Sequence, residues 1–288
     1  MGRLLWIIQG VMGVFAMGNL CAVEITTMGG KDISGAFESV YAVQGRVQYE
    51  ISGGSVINED LRREPGKFEW KGAQNRQLIK GFLLWGGNVN KGDEARAKGI
   101  GWISPSGKRT RLEAVYYDDE TAEGETVYAA MTEITHQLKE KGIYKILEMK
   151  TRKDRFGGFA VLLFYKNPAV AEQVVWLYLG VERLRPGEIY HARLLAPEQR
   201  VFVSRISTIG GGAIAGNGSS NSLNQRSLSG KEDWDGSSGY RWDVDDYQVN
   251  RKLEGLTWSM DPLLQWVFPM GIVVQMDQKG NKEEVEKQ

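Results

Sequence analysis

The sequence predicts an all-β protein: antiparallel β-sandwich layers with one short surface helix. Three observations lead there. Short segments of alternating or continuous apolar character recur at fairly even spacing. Glycine is frequent, with 36 residues against seven prolines, which suits turns between strands and falls short of a low-complexity chain. No strand–helix–strand rhythm and no repeat of fixed period is present.

The elements follow in order. Residues 25–45 read as a lead-in with one or two edge strands. Residues 46–51 alternate polar and apolar, the mark of a half-buried strand. Residues 77–87 form a strand with an apolar centre, stopped by Gly86-Gly87. Residues 100–103 and 110–117 flank Ser104-Pro105-Ser106-Gly107, where Pro pre-sets a turn and Gly allows positive φ, so a hairpin is expected. The surface helix is placed over 131–142. There Ile134 and Leu138 are four apart, Thr132 can cap, and Gly142 can stop the turn. A strand over 143–149 follows. Residues 157–165 are the most apolar run, so both faces of that strand should be covered and its place central. Asn167-Pro168 ends it, and 174–179 is another strand.

Arg185-Pro186-Gly187-Glu188 is a turn-rich boundary. It suggests one β-sandwich domain over 23–185 and a second β-rich domain or lobe over 186–277. Within the latter, 200–206 alternates cleanly and 210–240 reads as a long Gly/Ser/Asn loop. Short strands are expected over 240–249 and 256–260, and an apolar strand over 268–276. Residues 278–288 are a charged, frayed tail.

The N-terminus carries an export signal. Arg3 is the only charge before Glu24, and an apolar run over 4–16 separates it from small residues near Cys21-Ala22. Cleavage after Ala22 removes the chain's one cysteine; acylation of Cys21 is the alternative. No other stretch is long and apolar enough to span a bilayer as a helix. The expected product is exported to the periplasm, the outer surface or the medium, with no transmembrane span after cleavage.

Composition excludes several functions. The 36 basic residues balance 36 acidic ones, so the chain has no electrostatic footprint for nucleic acid. One Cys rules out internal disulfides and thiolate zinc sites, and two His leave little for imidazole metal chemistry. His136 and His191 read as surface histidines. Gly210-Gly211-Gly212-Ala213-Ile214-Ala215 fits G-x-G-x-x-A, but Asn217-Gly218-Ser219-Ser220 cannot open the helix that a dinucleotide loop needs. A flexible or ligand-wrapped loop is expected instead. Ser106-Gly107-Lys108 lacks the rest of a phosphate loop and is explained by the hairpin.

The richest segment is 231–247. Six carboxylates fall within residues 232–246, interleaved with Trp234, Tyr240 and Trp242. Asp233, Asp235 and Ser237 offer hard oxygens in a Gly-rich loop, as Ca²⁺ prefers, although the EF-hand spacing is not met. Asp243 and Asp245, two apart on a strand, share one face at about 6–7 Å. They could complete a calcium site with Asp233, Asp235 and Ser237, or act as a glycosidase-like acid/base pair. The alternative is a solvated acidic loop. Trp234, Tyr240 and Trp242 are candidate ligand-stacking aromatics; equally, they can pin the loop to the sheet.

Three stretches carry a family resemblance: 80–87 with its aliphatic–Trp–Gly step at Leu84-Trp85-Gly86; Tyr128–Thr135 with Gly142-Ile143-Tyr144; and Gly158–Pro168. In order and character they resemble β-domains of exported bacterial adhesin-like and envelope proteins. Those often have Trp where Phe159 stands and Asp-Val-Thr where Glu133-Ile134-Thr135 stands. The resemblance covers under a third of the chain. It implies a secreted β-rich domain and supplies no catalytic residues.

The functional expectation is an exported binding or scaffolding protein, an adhesin-like partner of protein or glycan at the cell surface, with structural calcium in the 233–246 loop. A carbohydrate-binding protein or glycoside-active enzyme using Trp234, Trp242, Asp243 and Asp245 is the alternative. The third reading is a homo-oligomeric subunit of a surface filament, joined through exposed edge strands.

Overall fold

The computed structural model describes residues 23–25, 37–152, 154–212, 214–216, 218–229 and 233–277. Residues 1–22, over which an export signal with Cys21 is expected, and the expected tail 278–288 lie outside the described residues. The strands in chain order begin with β1 (Val23–Ile25), β2 (Glu38–Gly45), β3 (Val47–Ser55), β4 (Gly66–Trp70) and β5 (Gln77–Asn90). A one-turn helix α1 (Glu94–Ala97) precedes β6 (Gly99–Ile103), β7 (Arg109–Glu113), β8 (Tyr116–Ala122), β9 (Glu125–Glu133) and β10 (Gly142–Leu147). Then come β11 (Gly157–Lys166), β12 (Gln173–Leu179), β13 (Tyr190–Gly211), β14 (Ser220–Leu223), β15 (Arg226–Ser227), β16 (Trp242–Asp261) and β17 (Phe268–Asp277). Strand takes 62% of the structure and helix 3%, and the strand pairings are antiparallel, so the all-β class holds.

Three sheets stack. The middle one runs β3-β11-β5-β9-β8. One of its faces meets an eight-stranded sheet, β1-β2-β12-β17-β13-β16-β14-β15, and the other meets a four-stranded sheet, β4-β10-β6-β7. Period-two alternation sorts the side chains between the two interfaces. On β11, Ala160, Leu162 and Phe164 face the eight-stranded sheet, while Phe159, Val161, Leu163 and Tyr165 face the four-stranded one. On β5, Phe82 and Leu84 go one way and Leu83 and Trp85 the other. The central, doubly covered strand expected over 157–165 is therefore β11, hydrogen-bonded to β3 and β5. Each large apolar side chain buried in this layer contributes roughly 1.5–3 kcal/mol.

A third core lies on the far face of the eight-stranded sheet, where Trp176-flanking Tyr178, Ile272 and Val274 meet Leu256, Trp258 and Met260. The covering residues come from the long pair β13 and β16. β17 accompanies β13 only along Phe202–Gly211; beyond it the two long strands pair with each other, through register shifts at Leu195 and Arg200, and fold over the sheet. Phe37 and Tyr190 close this core against Trp258, at ring-centroid distances of 5.9 and 6.1 Å.

Three expectations are corrected. Residue 186 does not separate two units, because β2 and β12 hydrogen-bond into the sheet that β17, β13 and β16 complete. The helix over 131–142 is instead the end of β9 followed by a single 3-10 turn, Thr135–Gln137. Ile134 and Leu138 both pack over Gly81, so one tight turn satisfies their spacing of four. Among the described residues the one α-helical turn is Glu94–Ala97, whose Ala97 carbonyl accepts from Trp85 Nε1 at 2.9 Å. Finally, 210–240 is no open loop: it holds the end of β13 and the β14–β15 hairpin. Among the described residues no helix is long and apolar enough to cross a membrane.

Candidate functional site

The 233–247 segment packs inward. Trp234 is 2% exposed and Trp242 is fully buried. Trp242 enters the first core and donates from Nε1 to the Phe159 carbonyl at 3.1 Å. Trp234 enters the third core and donates to Asn221 Oδ1 at 3.0 Å. Glycines make both slots. A Cβ at Gly158 would stand 2.2 Å from the Trp242 ring, and one at Gly210 would stand 2.3 Å from Trp234. Gly211 likewise admits Phe156. The glycines at 210 and 211 thus serve aromatic packing at the end of β13, where an open loop was expected. Neither indole offers a face to a ligand from solvent, so both pin the loop; Tyr240 alone of the three aromatics is partly exposed.

The carboxylates divide by strand face. Trp242, Val244 and Asp246 point toward the middle sheet side, and Asp243, Asp245 and Tyr247 to the opposite face. Asp243, 1% exposed, staples the turn: it accepts from Asp235 N at 2.9 Å, Gly236 N at 3.0 Å and Ser237 Oγ at 2.8 Å. Burial still raises it above the ordinary carboxylate range. Asp245 accepts from the Tyr247 hydroxyl at 2.9 Å; burial, and then the facing Asp243 charge, push it up to about 8. Tyr247 is raised as well, by burial and by Asp245. Asp233 Oδ2 accepts from Asn221 N, and its Oδ1 is buried without a partner among the described residues. Asp235 Oδ1 accepts from Ser237 N at 2.8 Å.

Among the described residues no three acidic or imidazole side chains converge as a metal cluster, and the Asp243 oxygens are turned to loop amides. Asp235, Ser237 and Asp243 share one hydrogen-bonded turn, while Asp233 bonds Asn221 and Asp245 bonds Tyr247 within reach of their charges. Asp246 stands apart: Arg205 grips it with Nε and Nη2 at 2.6 and 2.8 Å, and Ser207 donates to it at 2.7 Å while accepting from the buried Tyr49 hydroxyl at 2.7 Å. Both histidines are exposed. His191 Nδ1 lies 2.6 Å from Ser259 Oγ, with no carboxylate orienting the ring among the described residues.

Sequence reasoning missed a second place. A cleft of about 390 Å³ opens at one end of the stacked sheets. Its floor is Phe156 stacked on Phe268 at 4.8 Å. One wall is the partly exposed Trp266, with the guanidinium groups of Arg183 and Arg185 at 4.9 and 5.5 Å from its ring. Ile214 and Leu264, 40% and 68% exposed, stand at the mouth. Glu125 binds Arg152 and Arg155; these bonds and one from Asn88 outweigh burial and hold its carboxyl below the ordinary value. Gly212 N donates to the Arg241 carbonyl at 2.9 Å, and Gln265 bonds the Trp234 carbonyl at 3.1 Å, so the pinned loop forms part of the cleft's frame. The lining comes from widely separated parts of the chain, which leaves little local signal; Gly212, Ile214 and Arg241 fall in segments the sequence singles out, and the other lining residues do not.

No family model matches the chain, and no curated protein matches it. Among solved structures, a chain from the Sulfolobus turreted icosahedral virus is similar at a TM-score of 0.26 with 9% identity, covering 81% of this chain and 91% of that one. The major capsid protein P2 of bacteriophage PM2 is similar at 0.26 with 6% identity, covering 79% and 97%. The enzyme BuGH86, solved with neoagarooctaose, is similar at 0.25 with 9% identity, covering 85% of this chain and 35% of its own. Likenesses at these scores transfer no function, and the site has to be read from its own chemistry.

Proposed function

We propose that this chain is an exported binding protein of the cell envelope or exterior, whose stacked sheets act as a rigid scaffold for a ligand-holding cleft. One observation carries the reading: the cleft combines an aromatic floor, the partly exposed Trp266 and convergent guanidinium groups in one concavity. Ligand sites have this make-up, mostly apolar walls with a few placed polar groups, at volumes of about 300–1,000 Å³. Its walls are turns and strand ends held by buried sheets, the usual place for binding residues. The basic and apolar layout of residues 1–22 supports export.

A thermal-shift screen of the purified chain against a fragment library tests the binding reading, with Trp266→Ala run in parallel. Fragments that raise the melting temperature of the native chain and leave the variant unmoved are expected. A library silent against the native chain would overturn the reading. Weighing the chain recovered from cells tests export: loss of residues 1–22 is expected, and an intact N-terminus counts against it.

A further inference from the structure

We infer that the cleft takes a small organic anion, its acidic head on Arg241 and its apolar body against Trp266. This rests on the binding reading above and adds the charge and orientation of the ligand.

Three arginines line the cleft, and two of them are engaged. Arg155 donates to Glu125 at 2.7 Å, and Arg183 to the Ala122 carbonyl at 3.0 Å with Glu123 at 3.5 Å. Arg241 has no hydrogen bond or ion pair from its guanidinium among the described residues, and it touches only the Tyr240 ring, at 5.3 Å. A second, independent feature is its backbone. Arg241 sits at φ +52°, the left-handed region that suits glycine or asparagine and costs other residues about 1 kcal/mol or more. The chain places a long cation there, at the mouth of a cavity.

The neighbouring cations are paired. Arg152 joins Glu125 and Asp154, and Arg185 approaches Glu123 at 4.0 Å. Arg152, Arg155, Arg183 and Arg185 thus meet Glu123, Glu125 and Asp154, with the Glu120 charge beside Arg183, so four cations face four carboxylates and Arg241 is the cation without a paired carboxylate among the described residues. Arg183, only 9% exposed, also keeps its buried Nε–H without an acceptor among the described residues. A carboxylate, sulfate or phosphate head supplies acceptors of the right number, because a planar guanidinium binds such groups through two parallel hydrogen bonds. The Phe156–Phe268 floor, Trp266 and Leu264 leave an apolar surface beside the cation for the rest of the ligand.

The test follows the Trp266 indole N–H signal by NMR in the full chain, assigned with Trp266→Phe. The probes are phenylacetate, phenyl sulfate and phenyl phosphate, with neutral phenylacetamide as the matched control. The anions are expected to move the signal with at least about tenfold higher affinity than the amide, weakening as salt is raised. Arg241→Gln should remove that advantage and leave amide binding unchanged. Arg241→Gly, which relieves the backbone, should fold as stably as the native chain and still lose the anion preference. The three anion arms distinguish which head group is preferred. If the amide binds as well as the anions, or Arg241→Gly keeps the preference, the anion inference is overturned and the binding reading stands. If no probe moves the Trp266 signal, both are overturned.

Discussion

The Trp242 indole fills the space that a side chain at position 158 would occupy: a Cβ on Gly158 would lie 2.2 Å from the ring. Since Trp242 is fully buried and Gly158 belongs to the central strand β11, neither can withdraw. Gly158→Ala should therefore destabilise the protein by about 3 kcal/mol or more through overpacking. Gly54→Ala is the matched control, because its nearest neighbours are at 3.5 Å or beyond; it should stay within about 1 kcal/mol. Urea denaturation of the two variants checks the difference.

Asp243 holds three donors of one turn. Asp243→Ala should cost about 2–4 kcal/mol, since it leaves buried amides without an acceptor, and Asp243→Asn, which keeps one acceptor oxygen, should cost less. The ordering of the two midpoints is the measurement; equal values would mean that the staple does not hold the turn.

Asp245 makes stability fall with pH. Its carboxyl titrates near 8 in the fold and about 4 when unfolded, so the folded state binds more protons between those values. Stability is fully present below about pH 4, declines as pH rises to about 8, and levels off above. Asp245→Asn should flatten that slope and be more stable than the native chain at pH 9. Melting curves from pH 4 to 9 decide it, and an unchanged slope in the variant would rule out Asp245 as the source.

Calcium should leave the melting temperature unchanged between millimolar metal and chelator, because the Asp243 oxygens already accept from the turn. A clear rise in calcium would mean that the carboxylates rearrange around the ion.

The middle of the molecule was legible because its signals are local. The unbroken apolar run of 157–165 requires cover on both faces, and β11 has it. The hairpin around Pro105 and Gly107 also follows from turn chemistry, with β6 and β7 paired across it. Long-range pairing was not legible. Nothing in 190–211 announces that it will run beside 242–261, because the pairing tolerates register shifts that break the alternation. The Gly210–Gly212 run looked like loop chemistry because its reason lies in Trp234 and Phe156, far along the chain. At the 233–247 segment, strand alternation placed Asp243 and Asp245 on one face correctly. It could not show that Trp234 and Trp242 enter two different cores, which takes them out of reach of a ligand.

That division of the indoles gives each layer its own optical reporter. Trp85 and Trp102 sit between the middle and four-stranded sheets, Trp242 between the middle and eight-stranded sheets, and Trp234 and Trp258 beneath the folded arm of β13 and β16. Fluorescence from single-indole replacements can thus be followed core by core during unfolding. Coincident transitions would mark the stack as one cooperative unit, and an early loss at Trp258 would mark the arm as a foldon that opens on its own.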